Sequence, residues 1–249
     1  MKGITAVILA AGKGTRMKSA LPKVLHEVCG LTLVEHVVKQ TRALGIKDIV
    51  VVVCYGKELV MKRLLPYGVR FAEQRKQRGT ADAVKAARSA IRNLSDDILV
   101  LDGDVFFENK ELLSSFVKYH RRGSFDMSIM TTTIDNPFGY GRMVRDGHDE
   151  IVAIREEIDA SEREREIKEI NAGIYVFRGR DLFSVLNTIR PNNRKKEYYI
   201  TSAVDIYRAS GKRVGGYTVG QQGFVLGVNS RTELSDVNRM FKRAIIAHH

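Results

Sequence analysis

Apolar residues occur in the first half of the chain as short continuous runs, and segments with helical periodicity separate one run from the next. Short runs without polar alternation are typical of parallel strands that are buried on both faces. The predicted strands span residues 4–9, 49–54, 69–72 and 97–101. Strands that alternate with helices predict an α/β fold with a Rossmann-like, doubly wound, mainly parallel sheet flanked by helices. In such a fold, ligands bind at the carboxyl ends of the strands.

Helical periodicity is clearest at 34–44, where apolar residues form one stripe before Gly45 ends the segment. In the second half the pattern loosens, and the polar stretch 156–169 predicts an exposed loop or a short helix. The other predicted elements are helices at 80–91, 109–122, 180–189 and 198–210, strands at 128–134, 151–154 and 173–177, and a last helix from about residue 230. Ser230 and Glu233 have the spacing of a capping box for that last helix. We therefore expect one domain with an inserted lid-like part.

The composition limits the classes of function. The chain has 249 residues, 44% of them hydrophobic, which is enough for a large core, and it has no apolar run long enough to span a bilayer. Its formal net charge of +12 invites a nucleic-acid interpretation, but the basic residues are scattered and no DNA- or RNA-binding module is visible. Two interpretations of the excess positive charge stay open. In one, the basic residues only form solvated helix faces; in the other, part of them steers polyanionic substrates toward a site. The candidates for steering are Lys13, Arg16, Lys18 and Lys23.

The cysteines and the start of the chain bear on the cellular compartment. Cys29 and Cys54 lie in apolar surroundings without metal-ligand spacing, so we expect them to be small core residues of a reduced, cytoplasmic protein. The first residues lead straight into a predicted strand, so no signal peptide is expected.

The segment that directly follows the first predicted strand is rich in glycine and basic residues. It reads LAAGKGTRM at 9–17 and is followed by LPK at 21–23. A glycine-rich turn after a strand exposes backbone N–H groups that attract phosphate, and Arg16 and Lys23 add two positive charges. Met17 stands where a dinucleotide fingerprint needs its third glycine, and the spacing of a P-loop is absent. The segment predicts a nucleoside triphosphate site, with an ordinary strand-to-helix turn as the minor alternative.

Two carboxylates stand at the end of the predicted strand 97–101. Asp102 and Asp104 flank one glycine there, and a carboxylate at a strand end can hold a hard divalent cation, which prefers oxygen ligands. The same tripeptide is also a common turn, but the strand-end location favours the metal interpretation for Asp104. Asn229 could supply a second, neutral oxygen or simply cap the last helix.

Other polar residues suggest sites for a base and a sugar. Gln74 and Gln77 each offer a donor and an acceptor, which suits a uracil edge, while Gly79 and Thr80 open a predicted helix. A plain loop with a helix cap at Thr80 explains that segment at least as well.

Farther along the chain, the glycines of NPFGYGR at 136–142 allow a backbone N–H to approach a ligand closely. Glu156, Asn171 and Thr201 could bind sugar hydroxyls or satisfy loop backbone, and the local sequence leaves both open.

Taken together, these segments resemble the N-terminal pyrophosphorylase domain of bacterial N-acetylglucosamine-1-phosphate uridylyltransferases, which are sugar nucleotidyltransferases. The resemblance runs in order along nearly the whole chain. Its motifs are LAAGKGTRM at 9–17, LPKVLH at 21–26, QRGT at 77–80, GDV at 103–105, FGYGR at 138–142, EINAG at 169–173, EYYIT at 197–201 and GVNSR at 227–231. The first motif indicates the wider family, and the later ones, above all EYYIT and GVNSR, point to this branch.

The resemblance implies the nucleotide-diphospho-sugar transferase fold and Mg²⁺-dependent synthesis of UDP-N-acetylglucosamine, a peptidoglycan precursor, with release of pyrophosphate. The implied partners are the substrates UTP and N-acetylglucosamine 1-phosphate, without nucleic acid or membrane, in the cytoplasm; a homo-oligomer is left open. We expect a single domain of residues 1–249, with a nucleotide-binding part at about 1–125, a sugar-binding part at about 126–229 and a C-terminal helix at 230–247.

The resemblance also implies roles for individual residues. The nucleotide would be bound by Leu9, Ala10, Ala11, Gly12, Gly14, Gln74, Gly79 and Thr80. The catalytic charges on the phosphates would be Arg16 and Lys23, and the Mg²⁺ ligands would be Asp104 and Asn229. The sugar would be bound by Gly141, Glu156, Asn171 and Thr201.

Several residues depart from the family pattern. Asp102 stands where the family usually has a non-acidic residue such as Tyr or Ser, and Phe106 and Phe107 replace Pro-Leu. Ser202 replaces an Asp, and Ile158 falls where Lys is common. These departures leave open another sugar 1-phosphate, such as glucose 1-phosphate with UTP or dTTP, or a non-catalytic nucleotide-sugar sensor. Full-length family members also carry a left-handed β-helix with acetyltransferase activity, and that second activity is not expected of this sequence.

Overall fold

The structure, a computed structural model, describes residues 1–107, 110–220 and 225–247. The β-strands of this part of the chain are β1 (Ile4–Ala10), β2 (Glu27–Val28), β3 (Leu31–Thr32), β4 (Ile49–Val53), β5 (Arg70–Glu73), β6 (Asp97–Asp102), β7 (Val105–Phe107), β8 (Met127–Thr133), β9 (Arg142–Arg145), β10 (Ile151–Arg155), β11 (Glu169–Arg178), β12 (Val214–Val219) and β13 (Val225–Gly227). The α-helices are α1 (Leu33–Ala43), α2 (Lys57–Leu64), α3 (Thr80–Ala86), α4 (Lys110–Arg122), α5 (Glu162–Arg165), α6 (Gly179–Thr188), α7 (Ala203–Ala209) and α8 (Arg231–Ala247).

Four parallel strands form the centre of the main sheet, in the order β6-β1-β4-β5. β1 lies between β4 and β6, with Leu9 opposite both Val52 and Asp102. All five residues of β4 are buried, as expected for a strand covered on both faces. Helices cover the two faces: α1 and α4 pack on one, and α3, α6 and α7 pack on the other. The predicted doubly wound, mainly parallel fold is confirmed.

Antiparallel strands extend this sheet toward the second half of the chain. The carboxyl half of β11 pairs with β6, and its amino end pairs with β9 at Ile170 and Arg142. β8 pairs with the opposite edge of β11, so β9 lies on the same side as β6 but beyond its carboxyl end. β10 then pairs with β9. The hairpin of β9 and β10 therefore stands next to the place where β6 ends and ligands are expected.

Several predicted elements need correction. The predicted helix 80–91 is α-helical only to Ala86 and continues as a 3₁₀ turn at Ala87–Ala90. The predicted helix 198–210 begins late, with a 3₁₀ turn at Ile200–Ser202 before α7. The short strands β2, β3, β7 and β13 were not predicted, because two or three residues carry too little periodicity. Asn109, the first residue of the predicted helix 109–122, lies outside the described residues, as do His248 and His249.

The capping box predicted for the last helix is confirmed. The Glu233 backbone N–H donates to Ser230 Oγ at 3.2 Å, and the Ser230 backbone N–H donates to Glu233 Oε2 at 3.0 Å. These bonds satisfy N–H groups that a helix start would otherwise leave without partners. None of the described helices is long and apolar enough to cross a membrane.

The prediction that Cys29 is a core residue is wrong. Cys29 is exposed in the tight turn between β2 and β3, where its φ of 48° lies in the left-handed region. Its thiol donates to Asn238 Oδ1 at 3.3 Å. Cys54 is half-buried and packs against the core, as expected. The apolar residues around Cys29 belong to a two-stranded hairpin, which places the residue at its tip facing outward.

Candidate active site

The carboxyl ends of β1 and β6 open into a cleft made of two adjoining cavities. The larger has a volume of about 720 Å³ and the smaller about 170 Å³. The residues that line both are Arg16, Thr80, Asp102, Asp104, Gly139, Glu156 and Asn229. The larger cavity alone is lined by Leu9, Ala11, Gly12, Gly14, Lys23, Gln74 and Gly79, and the smaller alone by Gly141, Asn171 and Thr201, among others. The cleft thus brings together every residue assigned to the nucleotide, the phosphates, the metal and the sugar, except Ala10, which is fully buried at the end of β1. Lys18, a candidate for steering substrates, lines neither cavity.

The glycine-rich segment after β1 forms a tight turn at the bottom of the larger cavity. Gly14 has a φ of +66°, and a Cβ at that position would collide with the Cβ of Lys23. A side chain at Gly14 would therefore be strained and would displace Lys23. Gly12 is different, because no atom lies within 4 Å of the place where its Cβ would stand. The backbone at Gly12 faces open space in the cleft and is accessible to a ligand.

Basic and oxygen-bearing side chains meet where the two cavities join. Lys23 Nζ forms an ion pair with Asp104 Oδ2 and donates to Asn229 Oδ1 at 2.8 Å. Arg16 Nη2 donates to the same Asn229 oxygen at 2.9 Å. These four residues come from three distant segments of the chain, and we call them the junction cluster.

Local structure explains how the junction cluster assembles. The Gly103 backbone N–H donates to Leu9 O at 2.9 Å, and a Cβ on Gly103 would lie only 2.7 Å from that oxygen. Glycine therefore lets the chain turn sharply after β6 and present Asp104 beside the end of β1. The Val228 backbone N–H donates to Asp104 O at 3.0 Å, next to the pairing of β7 with β13. That pairing brings Asn229 to Asp104 across the width of the cleft.

The donor set of the junction cluster fits a hard divalent cation. Oxygens of Asp104 and Asn229 converge on a single cationic atom, Lys23 Nζ. Carboxylate and amide oxygens are the ligands that Mg²⁺ takes in proteins, with water and substrate phosphates filling its other positions. Among the described residues, no group of three or more His, Cys, Asp and Glu side chains could hold a metal ion alone. For a cation at this place the protein would supply Asp104 and Asn229, and water or substrate oxygens would supply the other ligands.

The far end of the larger cavity is built around Gln74, which is only 4% exposed. Its Nε2 donates to Gly79 O at 3.1 Å and to Asp82 Oδ2 at 3.0 Å. Both of those partners can only accept, so the amide orientation is determined and Oε1 points away from them. Gln77 Nε2 donates to Ala11 O, which joins this end to the glycine-rich turn. Gln74 therefore offers a ligand an acceptor alone, rather than the donor and acceptor expected from its side chain.

The loop before α3 is held by a segment from far along the chain. Gly79 has a φ of +112°, and a Cβ there would lie 2.5 Å from Tyr198 O. The Ile200 backbone N–H donates to Thr80 Oγ1 at 2.9 Å, while no side chain caps the start of α3. Thr80 therefore does not cap its own helix, the alternative that the sequence left open. Its hydroxyl ties the helix start to the loop before α7.

The smaller cavity holds the four residues assigned to the sugar. The Asn171 backbone N–H donates to Gly141 O at 2.9 Å, and Thr201 Oγ1 donates to Glu156 Oε1 at 3.1 Å. A Cβ on Gly141 would lie 3.0 Å from Ile154 Cγ2, so the position is tight but not blocked. Burial raises the pKa of Glu156 above its ordinary value, although the hydrogen bond from Thr201 opposes that effect. The cavity is therefore small, polar and acidic.

Asp102 is a residue whose importance the sequence did not settle. Its carboxyl group lines both cavities and accepts no hydrogen bond from the described residues. Burial, with a further contribution from the nearby Asp104 charge, raises the pKa of Asp102 to about 8. Gly173 has a φ of +73°, and its backbone packs against the Asp102 carboxyl, since a Cβ there would collide with Oδ2. The departure from the family pattern at this position was the available signal.

The sequence did not predict an ion pair between Arg142 and Glu157, which stabilises the turn at Gly139 beside the cleft. Arg142 is only 2% exposed and donates through Nη2 to Glu157 Oε2 at 2.7 Å. The same carboxylate oxygen accepts from the Gly139 backbone N–H at 3.0 Å. Glu157 therefore fixes the turn that carries Gly141. No local pattern marks this pair, because its members lie on different sides of the hairpin of β9 and β10.

Comparisons with known proteins identify the family of the chain. The family model described as Nucleotidyl transferase matches residues 5–221. The bifunctional protein GlmU of Streptococcus sanguinis is 43% identical over 244 residues, which cover 98% of this chain and 53% of that protein. GlmU of Alkaliphilus metalliredigens is 41% identical over 246 residues, which cover 99% and 54%. The chain thus spans about half the length of these relatives.

A solved structure shares the fold at low sequence identity. It comes from Bacillus anthracis, is assigned as a glucose-1-phosphate thymidylyltransferase and holds sucrose. The two structures align with a TM-score of 0.78 at 19% identity, over 95% of this chain and 94% of the other. The match over residues 5–221 and the identity of 41% and 43% to the two GlmU relatives show that the chain belongs to the nucleotidyl transferase family.

Proposed function

We propose that this chain transfers UMP from UTP to N-acetylglucosamine 1-phosphate, with Mg²⁺ bound, and so forms UDP-N-acetylglucosamine and pyrophosphate. The observation that carries the proposal is the position of the junction cluster between a larger cavity and a small acidic one. The choice of UTP and N-acetylglucosamine 1-phosphate follows the resemblance of the motifs, and the match to the nucleotidyl transferase family supports the reaction type.

The proposal divides the cleft between the two substrates. The uracil would lie beside Gln74, Gly79 and Thr80, where the Gln74 acceptor oxygen matches the N–H of uracil. Ala11 and Gly12 would line the path of the nucleotide with exposed backbone. The sugar would contact the side chains and backbone that surround the smaller cavity, which are Gly141, Glu156, Asn171 and Thr201. Residues of about 1–125 would thus serve mainly the nucleotide and about 126–229 mainly the sugar.

The reaction needs no general base. A phosphate monoester has a second pKa of about 6, so the sugar phosphate oxygen is already ionised near neutral pH and can attack the α-phosphorus directly. The barrier comes from two polyanions that crowd around one phosphorus atom. Arg16 and Lys23 would neutralise the pyrophosphate as it leaves, which is the electrostatic stabilisation that phosphoryl transfer requires. Asp104 and Asn229 would hold Mg²⁺, which when bound supplies further charge neutralisation between the two substrates.

A second candidate function is the same chemistry on a different sugar 1-phosphate. It is favoured by Asp102, whose carboxyl group faces the sugar end and replaces the non-acidic residue of the family pattern. A non-catalytic sensor has less support, since Arg16, Lys23, Asp104 and Asn229 are all present and meet at one point.

The experiment is an assay with UTP, Mg²⁺ and N-acetylglucosamine 1-phosphate, with inorganic pyrophosphatase to release phosphate. Glucose 1-phosphate runs in parallel, and Asp104→Ala serves as the inactive variant. We expect UDP-N-acetylglucosamine by mass spectrometry from the wild type and its loss in the variant. Turnover of glucose 1-phosphate alone would support the proposed reaction type and show that the preferred sugar is a different one. Measurable UTP binding without turnover of any sugar would favour the sensor instead.

A further inference from the structure

The first residue of α8 reaches back to the glycine-rich segment. Arg231 donates through Nε to Met17 O at 3.0 Å and through Nη2 to Lys18 O at 3.2 Å. These two carbonyls, 214 and 213 positions from Arg231 along the chain, end the 3₁₀ turn Thr15–Met17, which we call the Arg16 turn. A guanidinium group presents several N–H donors in one plane, so a single side chain can hold both carbonyls in a fixed relation.

The Arg16 turn is short and contains little hydrogen bonding of its own. It is closed by two backbone hydrogen bonds, from Met17 N–H to Gly14 O at 2.9 Å and from Lys18 N–H to Thr15 O at 3.1 Å. Gly14 and Lys18, at its two ends, have φ of +66° and +47° in the left-handed region. A residue other than glycine keeps that conformation where the surrounding structure enforces it. The two bonds from Arg231 act at the Lys18 end, so they stabilise the less favourable half of the turn.

The segment that contains Arg231 also holds the side chain of Arg16. Asn229 stands two residues before Arg231, and its Oδ1 accepts from Arg16 Nη2 at 2.9 Å. Glu233 fixes this segment, because its Oε2 accepts from the backbone N–H groups of Asn229 and Ser230. The start of α8 therefore contacts the Arg16 turn at two places, the guanidinium group of Arg16 and the backbone after it. A shift of the turn would move this guanidinium group away from the other members of the junction cluster.

Helix formation does not explain an arginine at the first position of α8. The start of a helix carries a partial positive charge, which disfavours a cationic side chain there. Arg231 opens α8, and no acidic side chain of the described residues forms an ion pair with it. Its guanidinium group donates to backbone carbonyls of the Arg16 turn. A residue that opposes local preference and makes a specific distant contact is typical of a functional position.

We propose that Arg231 is a positioning residue, which holds the Arg16 turn so that the guanidinium group of Arg16 lies where the two cavities join. The inference rests on the proposed function, because it concerns a charge that this reaction would need. Arg16 lines both cavities, whereas Arg231 lines neither. Arg231 therefore acts through Arg16 and without contact to a substrate. A misplacement of about 1 Å can cost about 100-fold in rate, even when its cause lies far from the reacting atoms.

The effect of Arg231 on binding should depend on Arg16, and a double-mutant cycle tests this dependence. UTP with Mg²⁺, without a sugar phosphate so that no transfer occurs, is titrated by calorimetry into the wild type, Arg231→Met, Arg16→Met and the double variant. Methionine removes the charge and the donors but keeps an unbranched stem. We expect Arg231→Met to weaken binding by about tenfold, as for the loss of one hydrogen bond to a charged group. In the Arg16→Met background the same change should cost about threefold or less, because the group that it positions is gone.

Hydrogen exchange provides a measurement of the Arg16 turn that needs no ligand. The N–H groups of Met17 and Lys18 are bonded within the turn, so their exchange should be about tenfold faster in Arg231→Met if that turn opens more often. Arg239→Met is the matched control, because Arg239 belongs to the same helix and pairs with Asp236. It should keep the affinity and the exchange rates of the wild type.

Two results would overturn the inference: losses of equal size with and without Arg16, as a merely structural role gives, or unchanged exchange at Met17 and Lys18. If Arg231→Met does not fold, Arg231→Lys takes its place, because an ammonium group keeps the charge but lacks the planar donors that hold both carbonyls. We then expect about threefold weaker binding, and again no such loss in the Arg16→Met background.

Turnover of UTP with N-acetylglucosamine 1-phosphate is assayed on the same proteins. A loss of affinity that depends on Arg16, without any UDP-sugar from the wild type, would support the inference and contradict the proposed function. Formation of UDP-N-acetylglucosamine by the wild type, with equal losses in both backgrounds, would do the reverse. No binding of UTP by the wild type would contradict both.

Discussion

The two ends of the cleft differ in how their polar groups are hydrogen-bonded. The nucleotide end is the part of the larger cavity around Gln74 and Thr80, and the sugar end is the smaller cavity around Asp102 and Glu156. At the nucleotide end, both hydrogens of the Gln74 amide and the Thr80 hydroxyl are bonded within the protein, and glycines set the backbone. At the sugar end, Asp102 has no partner among the described residues and Glu156 has one side-chain partner. A satisfied network is rigid and specifies one geometry, whereas unsatisfied groups depend on their ligand. Under the proposed function, the rigid end would determine the choice of base and the other end the choice of acceptor, while the reacting phosphates would lie at the junction cluster between them.

Removal of Lys23 should have the largest effect, because it acts where the two ends meet. We expect Lys23→Ala to lower kcat/KM in the phosphate-release assay by about 100- to 1,000-fold, as for the loss of one preorganised donor to developing charge. Lys39→Ala removes an exposed lysine of α1 and should stay close to wild type. If Lys23→Ala remained within a few-fold of wild type while folded, the role given to its ammonium group would be wrong.

A smaller effect is expected from a substitution of Gly12, whose backbone is exposed in the larger cavity. The Cβ of Gly12→Ala would project into open space, without strain in the folded protein, but into the path of the nucleotide. We expect KM for UTP to rise about tenfold, as when one misplaced methyl group disturbs a binding pocket, with an unchanged Tm. Gly147→Ala is the control, since Gly147 also has no atom within 4 Å of its added Cβ and lies outside the cleft. An unchanged KM in Gly12→Ala would place the nucleotide elsewhere.

The smallest effect should be a change in the pH dependence of thermal stability when Asp102, at the sugar end, is replaced. The pKa of Asp102 is about 8 in the folded chain against an ordinary value of 3.8, so between these pH values the unfolded chain has released a proton that the folded chain keeps. Rising pH therefore favours unfolding through this group. Asparagine cannot release this proton, so between pH 5 and about 8 the Tm of Asp102→Asn should fall by a few degrees less than the Tm of the wild type, both measured with EDTA present. Asp149→Asn, which removes an exposed carboxylate from a turn, should follow the wild type, and parallel curves for all three proteins would contradict the raised pKa.

The strands and the glycine-rich turn could be predicted because their causes are local. Three of the four central strands, β1, β4 and β6, are largely apolar runs, and Gly14 is required by a turn only a few residues long. The motifs gave the family correctly, as the match over residues 5–221 confirms. Patterns of this kind need no knowledge of the remaining chain.

Contacts between distant segments could not be predicted in this way. The bond between Val228 and Asp104 depends on the pairing of β7 with β13, which are too short to show a period. Asp102 has no hydrogen-bond partner among the described residues, and this depends on all the segments around its side chain, so a local pattern could not predict it. The error at Cys29 has the same origin, since an apolar neighbourhood in sequence became an exposed turn in space.

The link between Thr80 and Ile200 has a consequence for how the protein is made. These two residues are 120 positions apart, and Tyr198 must also arrive before the Gly79 loop has its partner. At a synthesis rate of about 5–20 residues per second, the segment that closes this loop leaves the ribosome roughly 6–24 s after the loop itself. In the proposed binding mode, the nascent chain would hold the central strands during that interval but would lack the partner of the loop assigned to the base. Nucleotide binding would then be complete only after the segment around Tyr198 has docked.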